Sequence, residues 1–283
     1  MARPYRSVLY IPAANARAME KAQTLPADAI IFDLEDAVSP TEKRAARDHL
    51  AAALQNDYGG RARIVRINAL ATEWGQDDAR FCAALPAGQV DAVLLPKVDG
   101  PADLDALADL LPGLPLWAMM ETPLGMLNAA QIAAHPRLQG MVMGTNDLAK
   151  ELNSRFRADR LPMMAGLGLC LLAAKVHGTV IVDGVFNAFK DDEGLDAECQ
   201  QGRDMGFDGK TLIHPAQLAI ANQAFAPTEA EIDLARRQID AFDQAVAAGK
   251  GVAVVDGKIV ENLHVDIARK TLDRAQAIAA MAG

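Results

Sequence analysis

Two acidic residues, Glu121 in PLWAMMET (115–122) and Asp147 in GMVMGTND (140–147), each close a short apolar run. Runs of that length, nearly continuous in apolar residues, suit parallel strands covered on both faces. Glu121 and Asp147 would then end consecutive strands, where their carboxylates can converge. Carboxylates sharing a partly desolvated pocket repel unless a cation joins them. Two carboxylates completed by water and substrate oxygens suit Mg²⁺, which gives up its hydration shell reluctantly. The bland alternatives are a helix cap for Asp147, ahead of LAKEL, and a solvent-facing strand-end acid for Glu121. The pair favours the metal.

The other run ends carry charge as well. AIIFDLED (29–36) supplies Asp33, Glu35 and Asp36, and RIVRIN (63–68) supplies Arg66, flanked by Ile64, Val65 and Ile67. An arginine inside such a run is rarely buried without a partner. A structural ion pair with the acidic group is one outcome. Recognition of a carboxylate or of developing oxyanion charge is the other. Asp33, Glu35 and Asp36 are read as supports for Arg66. Lys97, at the end of AVLLPKV (92–98), is a rim cation for substrate or a lysine reaching for water.

Eight apolar runs recur at 7–12, 29–36, 63–68, 92–98, 115–122, 140–147, 179–186 and 209–214, with helical stretches between them. Strand–helix alternation implies right-handed βαβ units. Eight units predict an α/β fold of the (β/α)8 TIM-barrel type over residues 1–226, with the site at the C-terminal strand ends. An open doubly wound sheet is the alternative, but no Gly-rich dinucleotide turn follows the first run. MMAGLGLCLLAA (163–174) is too short to span a bilayer and reads as a buried helix.

Residues 227–283 break the pattern and are read as a C-terminal lid of helix and hairpin. Thr228 and Glu231 match a capping box. Ala235, Ile239, Phe242 and Val246 follow at helical spacing. VAVVDGKIV then predicts a hairpin turning at Asp256-Gly257, ahead of a last helix from about residue 263.

The chain has 283 residues, 51% of them hydrophobic, and a net charge of -9. That acidic balance argues against nucleic acid or an anionic membrane as a main partner. Three cysteines without metal spacing suit a reducing compartment, and the N-terminus lacks a signal-peptide run. The expected location is the cytoplasm.

The motifs RSVLYIPA, DAIIFDLEDAV, RIVRIN, LLPKV, METPLGMLN, GTNDLA, VDGVFNAFKDDEGL and GFDGKTLIHPAQ stand in this order over nearly the whole chain. Together they resemble the CoA-ester lyase family related to the citrate lyase beta subunit, within the HpcH/HpaI aldolase/citrate lyase superfamily. The malyl-CoA thioesterase branch looks nearest. The resemblance implies an Mg²⁺-dependent enzyme that hydrolyses (S)-malyl-CoA to malate and CoA, or alternatively a malyl-, methylmalyl- or citramalyl-CoA lyase. It implies trimers or hexamers, Mg²⁺ on Glu121 and Asp147, Arg66 on the acyl part, and CoA held with help from Tyr10 and Lys21. Ala13, Ala14 and Asn15 stand where the family often has Gly-Ser and a basic residue. An aspartate that family lyases carry near the last helix, delivered to a neighbouring subunit, aligns with Glu261. Glu261 is thus a candidate acid or base, the alternative being an acid at a helix start.

Overall fold

The computed structural model describes residues 3–282. Eight strands, β1 (Ser7–Pro12), β2 (Ala29–Asp33), β3 (Ala62–Arg66), β4 (Ala92–Leu95), β5 (Leu116–Met120), β6 (Leu138–Met143), β7 (Val180–Asp183) and β8 (Gly209–Leu212), pair in chain order, and β8 returns to β1 to close a barrel. Every pairing in the barrel is parallel. The fold is a TIM barrel.

Alternation along each strand builds two cores. Val8, Ile31, Ile64, Leu94, Trp117, Val142 and Val182 form one buried cluster. Their strand neighbours Leu9, Ile30, Val65, Val93, Ala118, Met141 and Ile181 belong to a larger one with residues of the outer helices. One cluster fills the barrel and the other glues the helices to it, as a side-chain period of two requires. Trp117 is accommodated because residue 140 is glycine: a Cβ there would lie 2.2 Å from the indole.

The intervening helices are α1 (Ala16–Ala22), α2 (Lys43–Ala53), α3 (Gly75–Ala84), α4 (Pro101–Leu110), α5 (Pro123–Leu127), α6 (Ala129–Ala133), α7 (Thr145–Glu151), α8 (Met164–His177), α9 (Asp192–Met205) and α10 (Leu218–Ala224). The run expected to be a buried helix forms α8 but is only half covered. Leu167, Cys170 and Ala174 are buried, whereas Leu169, Leu172 and Val176 face outward. A helix on the outside of a barrel has one face with no barrel beneath it, however apolar its sequence. Among the described residues no helix is long and apolar enough to cross a membrane.

Several expected strands are shorter than their apolar runs. β2 ends at Asp33 because its carboxylate accepts the backbone N–H groups of Glu35 and Ala37, at 2.8 and 3.1 Å. Such an Asx turn replaces the ladder with a local bond. Beyond β4, Lys97 takes a left-handed backbone with φ of 54°.

By internal contacts, Tyr5–Phe225 is one compact unit and the chain from Ala226 onward belongs to a second. The second contains α11 (Glu229–Ala247), strands β9 (Ala253–Val255) and β10 (Lys258–Val260), and α12 (Asn262–Ala282). Thr228 and Glu231 form the capping box. Asp256 and Gly257, with φ of 49° and 75°, make the hairpin turn. Val255, Val260 and Val265 pack with Leu234, Ile239 and Phe242, while Val246 falls outside this core and is exposed.

Candidate active site

Arg66 ends β3 beside Asp33, which ends β2. Its Nε and Nη2 donate to the two carboxylate oxygens of Asp33 at 2.8 and 2.7 Å. Its Nη1 lies 3.0 Å from Glu35 Oε2 and 3.7 Å from Asp36. The Glu35 contact lacks hydrogen-bond alignment, so that buried oxygen has no hydrogen-bond partner. Burial pushes the Glu35 carboxyl up to about 8, against the pull of Arg66 and with the push of Asp36. Burial alone would lower the Arg66 pKa, but Asp33 outweighs it and holds the guanidinium well above its ordinary value. The guanidinium also lies 4.9 Å over the ring of Tyr10, whose hydroxyl burial pushes well above the usual range.

The second group lies across the same cleft. Glu121 follows β5 and is almost fully buried, and Asp147 sits half-buried in the first turn of α7. Glu121 Oε1 accepts the backbone N–H of Lys97 at 2.8 Å. The Lys97 ammonium lies 3.4 Å from Asp147 Oδ1 and 3.9 Å from Glu121 Oε1. Burial pushes Glu121 up to about 7; Lys97 pulls it down and the Asp147 charge pushes it up. Burial would lower the Lys97 pKa, but the two carboxylates raise it. Gly144, the residue before α7, lets the two elements approach: a Cβ there would lie 2.4 Å from Glu121 Cβ and 2.6 Å from its Oε2.

The donor set fits a hard divalent cation. The exposed Lys97 ammonium lies near both carboxylates and the Arg66 charge also acts on Glu121, yet burial still raises the proton affinity of Glu121. Among the described residues no group of three or more His, Cys, Asp or Glu is arranged to hold a metal. A cation on Glu121 and Asp147 would therefore leave its other positions to water and substrate.

Tyr10, Asp33, Asp36, Arg66, Glu121 and Asp147 all line one open cleft of about 310 Å³. Lys97 meets it through its two acidic partners. Lys21 is exposed in the last turn of α1 and does not line the cleft. Glu261, in the second unit, is exposed between β10 and α12. Its carbonyl accepts the His264 N–H at 2.9 Å, and its own N–H donates to His264 Nδ1 at 3.1 Å.

Sequence reasoning missed the apolar wall of Met119, Met143, Val185 and Ile213. It also missed Lys43. The Lys43 ammonium, on α2, donates to the Leu34 and Glu35 carbonyls at 2.8 and 2.6 Å and so fixes the loop that carries Glu35.

The sequence profile of HpcH/HpaI aldolase/citrate lyase matches residues 6–215, and that of a C-C bond lyase of the TIM-barrel fold matches residues 164–279. A (3S)-malyl-CoA thioesterase of Cereibacter sphaeroides is 67% identical over 280 residues, 99% of this chain and 97% of that protein. Citrate lyase subunit beta of Escherichia coli is 37% identical, over 97% of this chain and 94% of that protein. The crystal structure of protein CitE from Mycobacterium tuberculosis with magnesium, acetoacetate and coenzyme A matches at a TM-score of 0.80 and 30% identity, over 97% of this chain and 98% of that chain.

Proposed function

Because the chain belongs to the HpcH/HpaI aldolase/citrate lyase family, we propose that it is an Mg²⁺-dependent thioesterase that hydrolyses (S)-malyl-CoA to malate and CoA. The observation that carries this reading is the sharing of one cleft by the Glu121–Asp147 pair and the clamped Arg66.

Glu121 and Asp147 are the residues to hold Mg²⁺. Bound there, the ion supplies Lewis-acid polarisation and a fixed docking point for acyl oxygens. Arg66, oriented by Asp33, stabilises negative charge developing on the thioester oxygen. Tyr10, Lys21 and Lys97 contribute to binding of the CoA thioester, while Asp33, Glu35 and Asp36 hold Arg66 in place. Glu261 acts as the base that takes a proton from water as it attacks the thioester carbon. The C–S bond then breaks and the CoA thiolate leaves and is protonated. Residues 227–283 serve as the lid that carries Glu261.

The enzyme works as a homotrimer or hexamer in the cytoplasm. The outward apolar faces of α5 and α8, with Leu127, Leu172 and Val176 exposed, support assembly. The three free, buried cysteines are compatible with a reducing compartment.

The match to a C-C bond lyase profile favours a second reading, cleavage of the same substrate to glyoxylate and acetyl-CoA. Product analysis with (S)-malyl-CoA and Mg²⁺ separates the two. Malate with free CoA supports hydrolysis; glyoxylate with acetyl-CoA replaces it with the lyase reading.

A further inference from the structure

Lys97 meets the acidic pair twice. Its backbone N–H donates to Glu121 Oε1 at 2.8 Å. Its ammonium donates to Asp147 Oδ1 at 3.4 Å and lies 3.9 Å from that same Glu121 oxygen. The two contacts are separable. The N–H is presented by a left-handed backbone, with φ of 54°, which glycine takes without strain. Strained positions of this kind collect at functional sites. A lysine here adds an ammonium to a turn that glycine would make more easily.

The charges around that ammonium are accounted for. Glu121 and Asp147 act on it most and Glu35 next, and together they hold it charged against burial. Arg66 also acts on Glu121. Its fork, however, is committed to Asp33 at 2.8 and 2.7 Å, and its remaining edge faces Glu35 and Asp36. Lys97 is the cation in contact with both members of the pair.

A divalent ion held by Glu121 and Asp147 would set two further positive charges beside this ammonium. Like charges about 4 Å apart repel, the more so beside a buried acid. Lys97 is the group that can give way, because its side chain is 46% exposed and rides on a flexible four-carbon stem. Glu121 is buried and stays tied to the Lys97 backbone N–H. The turn can therefore keep orienting the acid after the ammonium has left it.

We propose that Lys97 is the resident counter-cation of the Glu121–Asp147 pair: its ammonium neutralises the acids until Mg²⁺ binds and is then driven off them. Lys97 thereby weakens Mg²⁺ binding, and the same ion makes the ammonium available to an anionic ligand. The inference rests on the reading of this pair as the Mg²⁺ site.

Two measurements on full-length protein test it. The first needs no variant. Reductive methylation with limiting formaldehyde, read by peptide mass spectrometry, reports how available the Lys97 amine is, with the exposed Lys250 as internal control. Saturating Mg²⁺ should speed modification of Lys97 at least about threefold relative to Lys250. The second is calorimetric titration with Mg²⁺ at about pH 8.5, where protons compete least for the acids. Lys97→Gly keeps the turn and its N–H but loses the ammonium, and should bind Mg²⁺ at least about threefold more tightly than the parent. Lys97→Arg restores the charge and should bring the affinity back towards the parent value.

Unchanged or weaker Mg²⁺ binding in Lys97→Gly, or Lys97 modification that Mg²⁺ does not speed, overturns the proposal. If Lys97→Gly does not fold, the modification rate still decides. Asp147→Ala separates this failure from that of the metal site. Mg²⁺ binding that survives in Asp147→Ala refutes the site itself. Binding lost there, with Lys97 indifferent to Mg²⁺, refutes the counter-cation alone.

Discussion

Asp33 and Arg66 are partners on the last rung of the β2–β3 ladder, and the guanidinium grips the carboxylate through two hydrogen bonds of 2.8 and 2.7 Å. The pairing commits one edge of the fork and leaves Nη1 directed at Glu35 and Asp36. A structural ion pair and a substrate-facing arginine, alternatives at the level of sequence, can therefore be one device. Asp33 fixes the plane in which Arg66 presents its remaining edge.

Arg66 variants should affect both stability and rate. Arg66→Met strands a buried carboxylate and should cost about 3–5 kcal/mol in urea unfolding. Arg66→Lys keeps the charge but loses the planar fork, so it should unfold closer to the parent. Its turnover should fall at least about 100-fold. Near-normal kcat/KM in Arg66→Lys would reduce Arg66 to an ion-pair partner.

If Glu121 and Asp147 hold Mg²⁺ as proposed, its binding should be pH-dependent. With its carboxyl pushed up to about 7, a proton must leave before a cation can bind. Mg²⁺ affinity should rise about tenfold per pH unit up to about 7 and then level off. Calorimetry in buffers of different ionisation enthalpy would count the released proton. Asp147→Ala and Glu121→Gln should each weaken Mg²⁺ by at least about 100-fold with the fold retained. Turnover of Asp147→Ala in chelator would exclude this pair as the metal site.

Glu35 should leave a mark on the stability curve of the metal-free protein. Its carboxyl is raised from the ordinary 4.5 to about 8. Between those values the folded chain keeps a proton that the unfolded chain has lost. Stability is therefore fully present below the lower value and is lost as pH rises through the upper one, by at most about 1.4 kcal/mol per pH unit. Glu35→Gln stays neutral and should flatten that part of the curve. An unchanged slope would show that Glu35 is already ionised.

Gly144 tests the packing that sets the carboxylate pair. Gly144→Ala would put a methyl 2.4 Å from Glu121 Cβ. Glu121 must then move, at about 1–3 kcal/mol, and the Mg²⁺ affinity should fall with it. Parent-like affinity would mean that the Glu121 position does not matter to the metal.

The barrel was legible because parallel strands covered on both faces are apolar throughout, and eight such runs stand out. Their ends were less so. Asp33 terminates β2 by capping backbone N–H groups, and Lys97 turns left-handed after β4, neither of which an apolar pattern encodes. The acids and Arg66 could be found because charge beside an apolar run demands a partner. Met119 and Ile213 could not, since an apolar side chain in a cleft wall looks like one in the core. Lys43 was hidden for the opposite reason: a lysine on an amphipathic helix reads as solvated, yet this one is buried on two loop carbonyls.

In the proposed reaction Glu261 is the residue whose role would depend most on assembly. It stands between a short hairpin and a long helix, a firm mount within the second compact unit. Lids that exclude water during a reaction need such a mount. General-base catalysis contributes about 10²–10⁴-fold, so Glu261→Gln should lose at least the lower end in turnover while still binding CoA thioester. Glu261→Asp keeps the carboxylate but shortens its reach, and should raise C–C cleavage relative to hydrolysis. Delivery to a neighbouring subunit is tested by mixing two inactive variants, Glu261→Gln and Asp147→Ala. If each site draws its base from another chain, hybrid oligomers contain some sites with both functional groups and recover part of the activity. No recovery in demonstrated hybrids would assign Glu261 to its own barrel, and a parent-like rate in Glu261→Gln would leave it as an acid at a helix start.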